Sequence, residues 1–180
     1  KYPKSILIWN ILGASALQLK MFDEAINAYK KCIYLNPHYA EAYNNMAVAL
    51  KEQGKVEEAI EALKKCVSIR PDHAEAYSNF GNILSDKGKL EEAIEAFKKS
   101  ISANPDYADA YINMGVVLKM QGKLEDAIKA YKKSITLKPD HVISYMNMSN
   151  AFKEQGDLDN TIKAYNKILS IKPDYELIRA

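Results

Sequence analysis

The chain has 180 residues, of which 48% are hydrophobic and 27% charged, and its net charge is +2. This composition is typical of a folded domain or array, and the small net charge excludes a general attraction to nucleic acid or anionic membranes. No apolar run reaches the roughly 18 residues that a membrane-spanning helix needs. The two cysteines, Cys32 and Cys66, indicate no disulfide framework, so a reducing, cytoplasmic location is predicted.

Structure-breaking residues recur along the chain every 34 residues, as the step from Pro3 to Pro37 shows. All six prolines share this register, and the seven glycines fall into two further registers. The register divides the chain into repeats 6–39, 40–73, 74–107, 108–141 and 142–175, with 1–5 as the tail of a preceding repeat and 176–180 as the start of a sixth. A single repeat array over residues 1–180 is therefore predicted.

Each repeat predicts two helices, A and then B. Helix A starts after a proline, with a capping box such as Asp72 and Glu75, and it ends at a glycine such as Gly54. In the first repeat, Lys20 stands where the later repeats have this glycine. Helix B begins with acidic residues, as at Glu57, and ends before the next proline. No segment alternates like a strand, so the predicted fold is all-α, a stack of five helical hairpins.

The pattern resembles the tetratricopeptide repeat. In the first repeat the resemblance is carried by Trp9, Gly13, Ala25, Tyr29 and Pro37, and equivalent residues follow in the later repeats. It covers nearly the whole chain. The resemblance implies an α-α superhelix, a right-handed solenoid whose concave wall is formed by the A helices and holds ligands.

An asparagine recurs at the sixth position of helix A in four repeats, although asparagine is disfavoured inside helices. These residues are Asn45, Asn79, Asn113 and Asn147. At about 100° per residue they lie opposite the buried stripe, and the resemblance places them on the concave wall. A carboxamide both donates and accepts hydrogen bonds, so the row predicts a site for an extended peptide backbone. It is similar to the asparagine ladder of O-linked N-acetylglucosamine transferases. Alternatively, the asparagines bond to neighbouring helices and stitch the repeats together.

Further residues of the same arc extend the predicted peptide site. Three of them are asparagines: Asn44, Asn82 and Asn150. Five are apolar residues of the fourth and fifth repeats, which predict a partner surface unless further repeats bury them. They are Ile112, Val116, Met120, Ile143 and Met146. The acids at the second position of helix A, Glu41, Glu75 and Asp109, either cap the helix or attract a basic peptide.

Several functions are argued against by missing residues. No catalytic triad, phosphate-binding loop or metal-ligand spacing occurs, so no enzyme activity, cofactor or metal is expected. The basic clamp that related repeat proteins use for chaperone tails is absent, because positions 2, 5 and 6 of helix A carry no lysine or arginine. Without aromatic residues among the lysines, nucleic-acid binding is not expected.

The sequence therefore predicts a non-catalytic scaffold for protein–protein interaction, which binds an extended peptide or a partner protein in its groove. One alternative is the substrate-recruiting arm of a larger enzyme, of the glycosyltransferase or sulfotransferase-like kind. Another is self-association into homo-oligomers through the uncapped terminal repeats.

Overall fold

The computed structural model describes residues 5–173. This part of the chain forms ten α-helices and no strand, which confirms the all-α prediction. The helices are α1 Ile6–Gln18, α2 Phe22–Leu35, α3 Ala40–Glu52, α4 Val56–Ile69, α5 Ala74–Asp86, α6 Leu90–Ala103, α7 Ala108–Met120, α8 Leu124–Leu137, α9 Val142–Glu154 and α10 Leu158–Ile171. Odd-numbered helices correspond to the predicted A helices and even-numbered ones to the B helices.

The chain divides into two compact units, Lys1–Ile83 and Leu84–Ala180, and the boundary falls near the end of α5. In the first unit, α1 packs against α2 and α3, and α3 packs against α2 and α4. In the second unit, α7 packs against α6, α8 and α9, and α9 packs against α8 and α10. Each unit is therefore held by contacts between helices that are neighbours in sequence, together with contacts between successive A helices.

Each A helix ends at a residue in the left-handed conformation. Gly54 has φ 76° and Gly122 has φ 73°, whereas Lys20 adopts φ 58° at the equivalent position. The hydrogen bonds are also equivalent, because Lys55 N donates to Leu50 O at 2.9 Å and Met21 N donates to Ala16 O at 2.8 Å. The predicted glycine stop is confirmed, and Lys20 makes the same turn at a steric cost.

The two helices of a hairpin approach closely where helix A has a small residue. A Cβ added to Gly13 would lie 2.7 Å from the Tyr29 ring, so the aromatic ring occupies the space that glycine leaves open. The second repeat has Ala47 in place of the glycine and Leu63 in place of the tyrosine, and each is 1% exposed. The sizes at these two positions are therefore matched in the first and second repeats.

The predicted capping boxes are wrong. Helix α7 begins at Ala108, its N-cap is Tyr107, and no side chain caps it. Asp106 instead donates its backbone N–H to Asn104 Oδ1 at 3.1 Å in the preceding turn. At α5, Ala76 N donates to His73 Nδ1 at 3.4 Å, so a histidine occupies the place predicted for aspartate. The physical reason is that the proline and the aspartate that follows it both lie in a turn, so the helix begins only after them.

Candidate functional site

The A helices of the first unit carry four of the predicted asparagines, Asn44 among them. Asn45, Asn79 and Asn82 are all half-buried. Asn79 and Asn82 in α5 line a cleft of about 200 Å³ together with Lys51 and Glu52 of α3. The cleft brings two amides and two charged groups together at one place.

Asn44 does not line this surface, in contrast to the prediction. It is 1% exposed. Its Oδ1 accepts a hydrogen bond from Asn79 Nδ2 at 2.9 Å, and its Nδ2 donates to Asn45 Oδ1 at 3.3 Å. The buried amide therefore joins α3 to α5, because a polar group out of contact with water needs partners. At this pair the asparagines stitch successive A helices together.

The predicted residues of α9 share one face of that helix. Ile143, Met146, Asn147 and Asn150 follow the spacing i, i+3, i+4 and i+7. Ile143 is 56% exposed, Asn150 is exposed, and Met146 and Asn147 are half-buried. Apolar and amide side chains therefore lie next to each other on a surface that solvent reaches.

Helix α7 contributes the remaining predicted residues. Asn113 and Val116 are half-buried, and Met120 is 57% exposed. Ile112 is only 6% exposed, so its assignment to the partner surface is wrong. Its position in helix A is that of Asn44 in the second repeat, and this position faces inward in both helices.

Two of the acidic residues beside these faces, Asp109 and Glu41, are paired with basic residues. Asp109 Oδ1 of α7 lies 2.8 Å from Lys138 Nζ, and Glu41 of α3 pairs with Arg70. Asp109 and Glu41 thus hold the start of helix A to the end of helix B in their own repeats, and they do not cap the helix. Glu75 is exposed. The roughly half-exposed Asp109 and Glu41 pairs each contribute little to stability.

A third ion pair links successive A helices of the second unit. Lys119 Nζ of α7 lies 2.7 Å from Glu154 Oε1 of α9. The pair sits at the carboxyl ends of both helices, beside Met120. With this pair and the pair of Asp109 and Lys138, two acidic and two basic side chains of this surface neutralise each other's charge.

The remaining reactive residue types give no sign of chemistry. Burial raises the pKa of the Cys66 thiol to about 12 and also raises the pKa of Cys32, so both thiols stay protonated and unreactive at neutral pH. Burial lowers the pKa of His73, and the Arg70 charge lowers it further. The described residues contain no group of three or more His, Cys, Asp or Glu side chains that could hold a metal ion.

His73 was not among the predicted functional residues, although the structure gives it a structural role. It is 4% exposed, and its Nδ1 accepts from the first turn of α5. Histidine is not among the side chains preferred at helix N-caps, so the sequence carries no signal for this contact. Between residues 5 and 173, no helix has the length and apolar character needed to cross a membrane.

Comparison with known families identifies tetratricopeptide repeats along the chain. Models described as tetratricopeptide repeat match residues 16–80, 50–93, 108–141 and 142–175, and one described as TPR repeat matches residues 81–122. No curated protein matches the chain.

Many solved structures are similar to the chain. A crystal structure of the MamA protein is 32% identical, with 95% of each chain covered and a TM-score of 0.75. The pilF protein of Pseudomonas aeruginosa is 19% identical, with 92% of this chain and 75% of that chain covered and a TM-score of 0.85. YrrB, described as a TPR protein with an unusual peptide-binding site, is 16% identical over 97% of this chain and 90% of that chain, with a TM-score of 0.70. The latter two likenesses concern the fold alone.

Proposed function

Because the chain belongs to the tetratricopeptide repeat family, whose arrays are protein-interaction scaffolds, we propose that it binds an extended peptide segment of a partner protein. The proposed site is the face of α9 that carries Ile143, Met146, Asn147 and Asn150, extended by Asn113, Val116 and Met120 of α7. The substrate-recruiting role in a larger enzyme stays a prediction.

The observation that carries this proposal is the combination of amide and apolar side chains on one accessible face of α9. An amide can accept from a backbone N–H and donate to a backbone C=O of an extended guest. The methionine adapts its unbranched side chain to guest side chains of different shape. Such a surface binds a guest mainly through its backbone and discriminates only weakly between guest side chains.

Hydrogen bonds within the chain divide the asparagines into two groups. Asn79 uses its Nδ2 to hold Asn44, which leaves only part of its bonding capacity for a guest. Asn147 has no hydrogen bond partner for its amide among residues 5–173. We therefore assign guest binding to Asn147 in the first place and the joining of α3 and α5 to Asn44 and Asn79.

Four charged residues around the site are paired with one another, which favours an uncharged guest. Asp109 pairs with Lys138 and Lys119 pairs with Glu154, so neither an acidic nor a basic peptide finds an unpaired counterion among these four residues. Each hydrogen bond to the guest contributes about 1 kcal/mol net. An uncharged segment with apolar residues, bound with micromolar affinity, fits these features.

The proposal is tested by fluorescence anisotropy with labelled extended peptides that carry neutral, acidic or basic side chains. We expect the neutral apolar peptides to bind, and the double variant Met146→Ala, Asn147→Ala to bind them about tenfold more weakly, because one apolar contact and one amide pair are lost. Asn166→Ala is the matched control, since Asn166 is exposed on α10. Equal affinity of the double variant and the wild type would contradict the proposal.

A further inference from the structure

His73 connects the second repeat to the third, and its side chain is buried. It lies between the turn of residues 71–72 and Ala74, the first residue of α5. The side chain is 4% exposed, whereas His38 is exposed and His141 is half-buried. Histidine is the side chain whose ordinary pKa lies closest to neutral pH, so a contact that depends on the proton of a buried imidazole also depends on pH.

The contacts of the His73 ring determine which of its nitrogens carries the proton. Nδ1 accepts a hydrogen bond from Ala76 N in the first turn of α5, at 3.4 Å. A backbone N–H only donates, so Nδ1 is the unprotonated nitrogen and the proton of the neutral ring is on Nε2. Nε2 is itself buried and has no hydrogen-bond partner among residues 5–173. The single hydrogen bond of the neutral ring is therefore made to the helix that follows it.

Protonation of the His73 ring removes this bond. The added proton goes to Nδ1, because Nε2 already carries one, and it points at the N–H of Ala76, so that two donors face each other. The imidazolium also brings a positive charge and an unsatisfied donor into a buried place, which costs more free energy than burial of the neutral ring. The cation avoids this cost when the ring moves out into solvent, and the first turn of α5 then loses its cap.

Four charged groups act on the His73 ring. Glu41 of α3, Asp72 of the turn and Glu75 of α5 favour the cation. Arg70, the residue after α4, opposes it and is already paired with Glu41. Burial is the strongest influence, and it lowers the pKa of His73. The three acids therefore do not compensate the cation for the loss of water around the ring.

His141 occupies the same position in the fourth repeat but has a different partner. Its Nδ1 lies 2.9 Å from Ser144 Oγ, and Ser144 Oγ lies 2.9 Å from Ser134 Oγ. A hydroxyl can donate or accept, so Ser144 can donate to the neutral ring and, after rotation of its hydroxyl, accept from the cation. Helix α5 has Ala76 at the position of Ser144, and His73 therefore has no such alternative.

We propose that His73 is an acid-sensitive cap, which holds the first turn of α5 while its ring is neutral and releases that turn when the ring is protonated. Because burial lowers the pKa from its ordinary value of 6.5, the folded chain binds this proton less readily than the unfolded chain. The stability that the neutral ring contributes is complete above about pH 6.5 and is lost as the pH falls from there toward the lower pKa of the folded state. Mild acid thus loosens α5, the helix that Asn79 joins to α3. This cap does not depend on the proposed peptide site.

Urea denaturation from about pH 8 to about pH 5 tests the proposal. The first variant is His73→Asn, because asparagine is a favoured N-cap that accepts the same kind of backbone bond and does not titrate. We expect the wild type to lose stability with acid faster than this variant, so that the ratio of their unfolding constants changes at least about threefold across this range. The second variant, His73→Tyr, should show the same reduced pH dependence. It introduces the residue that the first and third repeats carry at this position, Tyr39 and Tyr107.

His141→Tyr is the matched control, because Ser144 accommodates both forms of the His141 ring. We expect this variant to keep the pH dependence of the wild type. A pH dependence that both His73 variants retain in full, or one that His141→Tyr removes, would overturn the proposal.

Hydrogen exchange measured by NMR locates the effect in the chain. The amide of Ala76 should lose protection as the signals of the His73 ring titrate. The amide of Ala110, which has the same position in α7 but donates to Tyr107 O at 3.1 Å, should stay protected. An Ala76 amide that stays as protected as Ala110 while the His73 ring is protonated would also contradict the acid-sensitive cap.

Discussion

Asn79 in α5 donates a hydrogen bond from its Nδ2 to Oδ1 of Asn44 in α3, with 2.9 Å between the two atoms. Asn44 is almost completely buried, and its Nδ2 donates a second hydrogen bond to Asn45 Oδ1. Two consecutive A helices are thus joined by the same type of residue that the sequence also suggested for guest binding.

We expect Asn44→Ala to lower the free energy of unfolding by about 2 kcal/mol, because the change removes a buried amide and leaves Asn79 Nδ2 without its partner. Asn147→Ala should leave stability unchanged or raise it by up to about 0.5 kcal/mol, since alanine is the better helix former. Urea denaturation measures both. Equal losses of stability in the two variants would mean that asparagines join successive A helices within each of the two units.

Lys20 offers a way to stabilise the chain at a single exposed turn. Its φ of 58° lies in the left-handed region, which costs a residue with a Cβ about 1 kcal/mol. We expect Lys20→Gly to raise the free energy of unfolding by roughly 0.5 kcal/mol, because the relieved strain exceeds the entropy that glycine loses. Chemical denaturation in guanidinium measures this difference.

The reverse change at an equivalent turn provides the control. Gly122 has φ 73°, and no atom lies within 4 Å of an added Cβ, so Gly122→Lys tests the backbone strain alone. It should lower the melting temperature while Lys20→Gly raises it. A rise in both variants would show that the left-handed turn does not limit stability.

The close contact between Gly13 and Tyr29 predicts a dependence of one residue on the other. We expect Gly13→Ala to cost about 2 kcal/mol, because its Cβ would overlap the ring at 2.7 Å. Tyr29→Leu alone leaves a void and costs a similar amount. The double variant reproduces the pair Ala47 and Leu63, and it should be at least about 1 kcal/mol more stable than the sum of the single losses predicts. Additive losses in a double-mutant cycle would refute the matched packing.

The buried hydroxyl of Tyr29 makes stability sensitive to alkali. Burial is the main cause that raises its pKa from 10.0 to about 12. Between these two values the unfolded phenol loses its proton while the folded one keeps it, so stability is fully present below pH 10 and falls as the pH rises. Urea denaturation at several pH values should show this fall, and Tyr29→Phe should reduce it.

Tyr29→Phe should also stabilise the protein at neutral pH by about 1 kcal/mol, since the hydroxyl has no hydrogen-bond partner in the described part of the chain. Phe97 occupies the equivalent position of the third repeat, so phenylalanine is compatible with this site. Tyr34→Phe is the control, because Tyr34 is 83% exposed. An equal stabilisation by both variants would rule out burial of the hydroxyl as the cause.

The fold could be predicted from the sequence because its signals are local. A glycine such as Gly54 specifies the left-handed end of a helix by itself. The start of helix A could not be placed in the same way. Asp106 lies in the preceding turn, one residue before the N-cap of α7. Lys20 shows that a backbone conformation can persist where the favoured residue is absent.

The candidate site could be predicted only in part. Helical periodicity placed Asn147 and Ile143 on an accessible arc, and the structure leaves both of them at least partly exposed. The same periodicity assigned Asn44 and Ile112 to that arc, yet both are buried. Residues at the edge of an arc are exposed or buried according to the distance of the next helix, and a single helix carries no information about that distance.

The size matching between helices A and B in the first two repeats constrains how these hairpins can be recombined. An exchange of helix α1 for α3 alone would place Ala47 against Tyr29, and an exchange of α2 for α4 alone would place Gly13 against Leu63. The first combination clashes and the second leaves empty space. Whole hairpins are thus the interchangeable modules of this array, and duplications or swaps that break between the two helices of a hairpin should be eliminated during evolution.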